Sequence, residues 1–173
     1  GMKIVAVDPS GNWGDKEGWG TTGLAFYHAD GVIELDDIKS KDYNTPQEYW
    51  HDVVSQILVF EPDWVVFEGY RLYHHKGQTA DAQANSEMPT CKLIGVMEYQ
   101  FWNEEVSYHK QFASDVKSRW ADKVLESVGL LQKIGGKTYF RGKVTNTHKR
   151  DALRHLCHFK KYFIDAGKAE ARI

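Results

Sequence analysis

Residues 2–10 read MKIVAVDPS. Met2–Val7 is short, rich in β-branched residues and apolar without alternation, which predicts a strand covered on both faces at the middle of a sheet. Asp8 and Pro9 end it, and the stretch to Gly20 reads as a Gly- and Trp-containing loop, long for a hairpin. Working outward, Thr21–His28 (TTGLAFYH) predicts a second strand. Ala29-Asp30-Gly31 supplies an Asp-Gly turn, and Val32–Asp36 a third strand. The chain therefore opens with three antiparallel strands.

Thr45-Pro46-Gln47-Glu48 then starts a helix, with Thr45 as N-cap, Pro46 at the first helical position and Glu48 closing a capping box. Tyr49, Val53, Ile57 and Phe60 recur at helical spacing on one face. Glu61-Pro62-Asp63 breaks the helix, and Trp64–Phe67 is another short, wholly apolar strand that ends in Glu68. A helix between two buried strands is a crossover, so a parallel pair joins the sheet. Gly69–Met88 is polar and without a clean period over its first half. From Pro89 to Asn103 the pattern is helical, with Leu93, Ile94, Met97 and Phe101 on one face. Val106–Tyr108 predicts a further buried strand, and Ala121–Leu131 a helix closed near Gly135-Gly136. Thr147–Ile164 is the last helix, capped by Thr147 or Asn146, with Ala152, Leu153, Leu156, Phe159 and Phe163 facing the core. The order β-β-β-α-β-α-β-α-α gives an α/β fold with a mixed sheet, expected as a single domain over residues 1–173, without repeats, low-complexity tracts or linkers.

Composition narrows the function classes. Of the 173 residues 42% are apolar and 27% charged, ordinary for a globular domain. The net charge is −2, so any nucleic-acid binding needs a local patch and not a global field. Six Trp, nine Tyr and eight Phe mean core packing first and a stacking surface only second. Cys91 and Cys157 lack CxxC or finger spacing and read as buried thiols of a reducing cytoplasm. Gly1, ahead of Met2, is set aside as a cloning remnant. No signal peptide is recognisable and no apolar run reaches the ~20 residues that span a bilayer, so a cytoplasmic protein without membrane contact is expected.

Three acids occupy parallel positions: Asp8 and Glu68 end the two strongly buried strands, and Asp151 falls in the first turn of the last helix. Ligand sites of open α/β sheets gather at the carboxyl ends of neighbouring strands. Carboxylates converging there repel one another unless cations intervene. Such oxygen donors suit Mg²⁺ or Mn²⁺, which keep waters and accept phosphate oxygens. A pair of ions roughly 3.5–4 Å apart supports in-line phosphoryl transfer, which from three or four side chains is a complete chemistry for phosphodiester cleavage. His148, three residues before Asp151, shares its helix face and suits a metal ligand or a proton-transfer group. Singly, each has a plainer reading: a turn-forming Asp before Pro, a solvated strand end, an Asp favoured by a helix dipole, an exposed His near a helix start.

Taken together the blocks resemble the RuvC-type Holliday-junction resolvases of the ribonuclease H-like superfamily. KIVAVDPSG followed by GTTGLAF resembles their opening, DWVVFEGY their second acidic motif, and THKRDALRHLCHF their last-helix motif, in which a His or Asp lies three residues before an Asp-Ala pair. The blocks come in family order from residue 3 to about 160, and RDALRH is similar to small phage-encoded members. The resemblance implies a ribonuclease H-like fold, a homodimer, paired incisions in branched DNA, and Asp8, Glu68, His148 and Asp151 as the catalytic, metal-binding set, with Mg²⁺ (or Mn²⁺) as two ions. The loop from Gly11 to Gly20 is longer than the family's Asp-Pro-Gly turn.

Cations suited to phosphate contacts are Arg71 and Lys76 after Glu68, Lys110, Lys117 and Arg119 around the loop before the Ala121 helix, and Lys143, Lys149, Arg150 and Arg154 flanking the last one. Other readings remain open at this point: a nuclease of the same fold acting on RNA or an RNA-DNA hybrid, a non-catalytic nucleic-acid binder, and a fragment of an actin-like nucleotide-binding fold, for which the chain is short and lacks a second phosphate loop.

Overall fold

β1 (Ile4–Asp8) runs down the middle of a five-stranded sheet, and its sequence explains why. Val5 and Val7 point into one apolar cluster, Ile4 and Ala6 into another on the opposite face, and all four are buried. The structure, a computed structural model, describes residues 1–14, 18–70 and 86–170. β2 (Thr21–Tyr27) pairs antiparallel with β1, and β3 (Ile33–Lys39) antiparallel with β2. On the other side β4 (Trp64–Glu68) lies parallel to β1, and β5 (Ser107–Gln111) parallel to β4. The order is β3-β2-β1-β4-β5, the mixed sheet expected from the sequence.

α1 (Pro46–Val59) and α2 (Pro89–Asn103) cover one face through Tyr49, Val53, Ile57, Leu93, Met97 and Phe101. The Thr45 hydroxyl oxygen accepts from the Glu48 backbone N at 3.1 Å, but the Glu48 carboxylate reaches back to the Asn44 N and not to Thr45 itself. The expected capping box is therefore displaced by one residue.

Between β5 and the last helix the chain departs from its expected course. α3 (Ala113–Val116) and α4 (Asp122–Ser127) are short. The helix expected over Ala121–Leu131 stops at Ser127, just before Gly129, whose φ of 83° is left-handed. β6 (Gln132–Ile134), β7 (Lys137–Phe140) and β8 (Lys143–Val144) then form a separate antiparallel ribbon. Gly135 and Gly136, expected to close a helix, are the two positive-φ residues of a hairpin turn between the paired Ile134 and Lys137. Phe140 anchors the ribbon by packing with Leu125, Leu131 and Leu153.

α5 (Thr147–Phe159) covers the second face of the sheet, with Ala152, Leu156 and Phe159 against Ile4, Ala6 and Val66. Asn146 is its N-cap, accepting from the Lys149 N at 2.9 Å. The α-helix ends at Phe159 and continues as a π-helical turn, Lys160–Ile164, shorter than the α-helix expected to Ile164. The start of α5 lies directly on β2 at Gly23, the cross-strand partner of Asp8. A Cβ at Gly23 would stand 2.0 Å from the His148 carbonyl oxygen, so only glycine permits this approach. Cys91 and Cys157 are free thiols, half-buried and not fully buried. Among the described residues no helix is long and apolar enough to cross a membrane.

Candidate active site

Parallel pairing brings the carboxyl ends of β1 and β4 side by side, with Val7 opposite Phe67 one residue before each acid. Asp8 and Glu68 therefore leave the sheet at one rim. α5 supplies the third acid: because Asn146 is the cap, Asp151 is the fifth helical residue, in the second turn, and the first turn carries no acid. This corrects the first-turn position expected from sequence, and it removes the explanation that Asp151 sits there for the helix dipole alone. Asp8, Glu68 and Asp151 line a single pocket of about 340 Å³ with Thr90, Phe112 and Lys117.

The electrostatics follow from this crowding. Burial pushes the Asp8 carboxyl up to about 6; contact with His148 opposes the rise, while the charges of Glu68 and Asp151 add to it. His148 Nδ1 lies 3.6 Å from Asp8 Oδ2, and that carboxylate holds the imidazole above its ordinary value against the effect of burial. Burial alone would raise Glu68, yet His155, Asp8 and Lys117 together hold its carboxyl below the usual value. Lys117 Nζ stands 4.0 Å from Asp151 Oδ2, and Arg154 Nε donates to Asp151 Oδ1 at 3.0 Å.

Two neighbours of the acids, His155 and Gln111, were not anticipated. His155, fully buried, presents Nε2 to Glu68 Oε2 at 3.5 Å. Gln111, at the end of β5 and in register with Glu68, sets the state of that ring. Its Nε2 lies 3.1 Å from the His155 carbonyl oxygen, which can only accept, and 3.2 Å from His155 Nδ1. The same amide nitrogen thus donates to Nδ1, leaving the ring proton on Nε2, facing Glu68. Arg154 joins Asp151 to Asp122 Oδ1 at 2.6 Å and to the Trp120 carbonyl. The signal for His155 was present: it follows Asp151 by four residues and His148 by seven, on one helical face. Gln111 was missed because the expected strand ended at Tyr108.

The predicted phosphate contacts divide. Lys117 lines the carboxylate pocket. Arg119 turns instead to Tyr162, donating to its hydroxyl at 3.1 Å. Lys149 lines a separate groove beside β3, and Arg150 is engaged by Asp122 at 3.6 Å and by the Thr145 hydroxyl. Arg71 and Lys76 lie outside the described residues. Among the described residues no three His, Cys, Asp or Glu side chains are gathered closely enough to form a metal cage.

A mixed sheet of this order with helices on both faces is a ribonuclease H-like fold. Solved structures agree. The RuvC of T. thermophilus in complex with a Holliday junction substrate superposes with a TM-score of 0.65 at 14% identity, over 96% of this chain and 97% of that one. A Thermus thermophilus RuvC structure gives a TM-score of 0.58 at 14% identity, with the same coverage. No protein-family model and no curated protein sequence matches the chain.

Proposed function

We propose that this chain is a metal-dependent endonuclease that cleaves phosphodiester bonds in branched DNA, acting as one domain and as a homodimer whose two sites cut opposed strands. The observation that carries the reading is the single pocket into which β1, β4 and α5 bring Asp8, Glu68 and Asp151. Three carboxylates in one pocket repel one another even with His148, His155, Lys117 and Arg154 around them, a cost that packing alone does not require. The T. thermophilus RuvC neighbour was solved on a Holliday junction substrate, which adds to the choice of DNA.

In its chemistry the donor set suits Mg²⁺ or Mn²⁺: hard carboxylate oxygens, a half-exposed imidazole, and an Asp8 carboxyl raised first by burial and then by the charges of Glu68 and Asp151. Asp8, Glu68, Asp151 and His148 would hold the ions, which when bound supply charge neutralisation at the scissile phosphate and acidify an attacking water. His155 orients Glu68, and Arg154 orients Asp151. Lys117, at the mouth of the same pocket, offers its ammonium to a phosphate oxygen.

The test is cleavage of a labelled four-way junction, a linear duplex and an RNA-DNA hybrid with Mg²⁺, Mn²⁺ or chelator. Symmetric metal-dependent incision of the junction, lost in Asp8→Asn, is the expected result. Preference for the hybrid would move the substrate to RNA; binding of junction without cleavage under any condition would sink the nuclease reading.

A further inference from the structure

Acids and bases are nearly balanced in this chain, 24 against 22, but not along its length. From Gly129 to Arg150 there is no Asp or Glu, while Lys133, Lys137, Arg141, Lys143, Lys149 and Arg150 all fall there. This run is the β6–β8 ribbon and the first turn of α5.

The ribbon also encloses a groove. A cavity of about 330 Å³ lies between β3, an edge strand, and the β7–β8 hairpin. Arg141, Lys143 and Lys149 line it, with Glu34 as its one acid. Glu34 is already engaged by His28 Nε2 at 2.8 Å. Arg141 is held in place by donating to the Ile33 carbonyl at 3.1 Å. Among the ion pairs of the described residues none involves Arg141, Lys143 or Lys149. Three cations thus share a concave surface with a single acid, Glu34, and none of the three is in an ion pair, a charge balance that draws an external anion.

The groove is connected to the candidate active site through adjacent residues. Lys149 lines it, and the preceding residue, His148, faces Asp8 at 3.6 Å. At this end of α5 the Asn146 cap also donates to Asp37 at 2.6 Å, so the cations of the groove and the carboxylates of the pocket flank one helix terminus.

We propose that the groove between β3 and the β7–β8 hairpin is a second phosphate-binding site, which seats the phosphodiester backbone of a DNA arm beyond the one being cut. Its contacts fix the orientation of the arm and carry no base sequence, because lysine and arginine reach phosphates without reading base edges. The proposal rests on the DNA reading above, but it concerns residues that the cleavage chemistry does not use.

The test measures binding of a labelled four-way junction in Ca²⁺ across a salt series. Wild type is compared with Arg141→Glu/Lys143→Glu, with Lys143→Glu alone, and with Lys161→Glu. The last makes the same charge change as the single variant, on the π-helical turn that follows α5 and about 18 Å along the helix from Lys149. The single Lys143 variant guards against loss of the Arg141 tie to Ile33. Affinity is expected to fall at least tenfold in the double variant, and the log–log salt slope to shrink by about two, one for each lost phosphate contact. Lys161→Glu should change neither by much. Unchanged affinity and slope in folded double and single variants overturn the groove; if wild type still cuts the junction in Mg²⁺, the nuclease reading survives. Weakened binding in the variants, with a wild type that binds but never cuts, supports the groove and defeats the nuclease. A wild type that binds no DNA defeats both.

Discussion

Gly23→Ala is the substitution whose outcome follows most directly from the geometry. The new Cβ would lie 2.0 Å from the His148 carbonyl oxygen, 2.4 Å from its carbonyl carbon and 3.1 Å from the Lys149 N. Real Cβ contacts essentially never fall below 3.0 Å, so β2 and the start of α5 must separate by about 1 Å. Both clashing atoms and the tight Lys149 N belong to backbone, and no side-chain rotamer relieves them. Overpacking of this kind costs about 1–3 kcal/mol. The displacement acts on His148, now 3.6 Å from Asp8, and through the same helix on Asp151. Misplacing a reacting group by about 1 Å typically costs on the order of 100-fold in rate. Single-turnover cleavage of the four-way junction and urea unfolding, run side by side, read both effects. Gly95→Ala is the matched control: it adds the same methyl to α2, where nothing lies within 4 Å, and should stabilise by about 0.5–1 kcal/mol. Cleavage by Gly23→Ala within twofold of wild type would refute the idea that this approach sets the site.

Three further outcomes are expected. In chelator, Asp8→Asn should be more stable than wild type at pH 7.5, because a carboxyl raised from 3.8 to about 6 opposes folding when ionised, by up to about 3 kcal/mol. The advantage should fade as pH falls through about 6 towards 4, and denaturant midpoints across pH measure it; equal stability at pH 7.5 would discount the crowding. His155→Leu should leave Glu68 without its ring partner and raise the Mg²⁺ requirement for cleavage by roughly 10–100-fold, read from a Mg²⁺ titration. Arg154→Met should strand Asp151 and cost about 3 kcal/mol in urea unfolding; a loss below 1 kcal/mol would mean that Asp151 finds another partner.

The sheet was legible because its central strands are apolar on both faces, a pattern that a half-solvated strand does not produce. IVAV and WVVF each point to burial, and the capped helix between them gives the parallel direction. Asp8 and Glu68 were legible for the same reason, since a buried strand delivers its last residue to the rim, and Asp151 from its place near the start of the last helix. The ribbon was not. QKIGGKTYFRGK carries little apolar alternation, its strands are mostly exposed, and Gly135-Gly136 serves equally as a helix stop or a hairpin turn. The spacing of His155 from His148 and Asp151 was readable but equally fits a core position, and Gln111 lay beyond the expected end of its strand. The placement of Arg119 against Tyr162 is likewise a tertiary choice, with no local signature.

The burial of β1 on both faces has a consequence for how the molecule breathes. Amides of Ile4–Val7 sit between two apolar clusters and two paired strands, so they should exchange with solvent only when the whole domain unfolds. The ribbon, anchored chiefly through Phe140, belongs at the other extreme and should open locally many times before that happens. The ribbon can therefore rearrange while the rim bearing Asp8 and Glu68 keeps its spacing. Deuterium uptake would show this as two well-separated tempos within one chain.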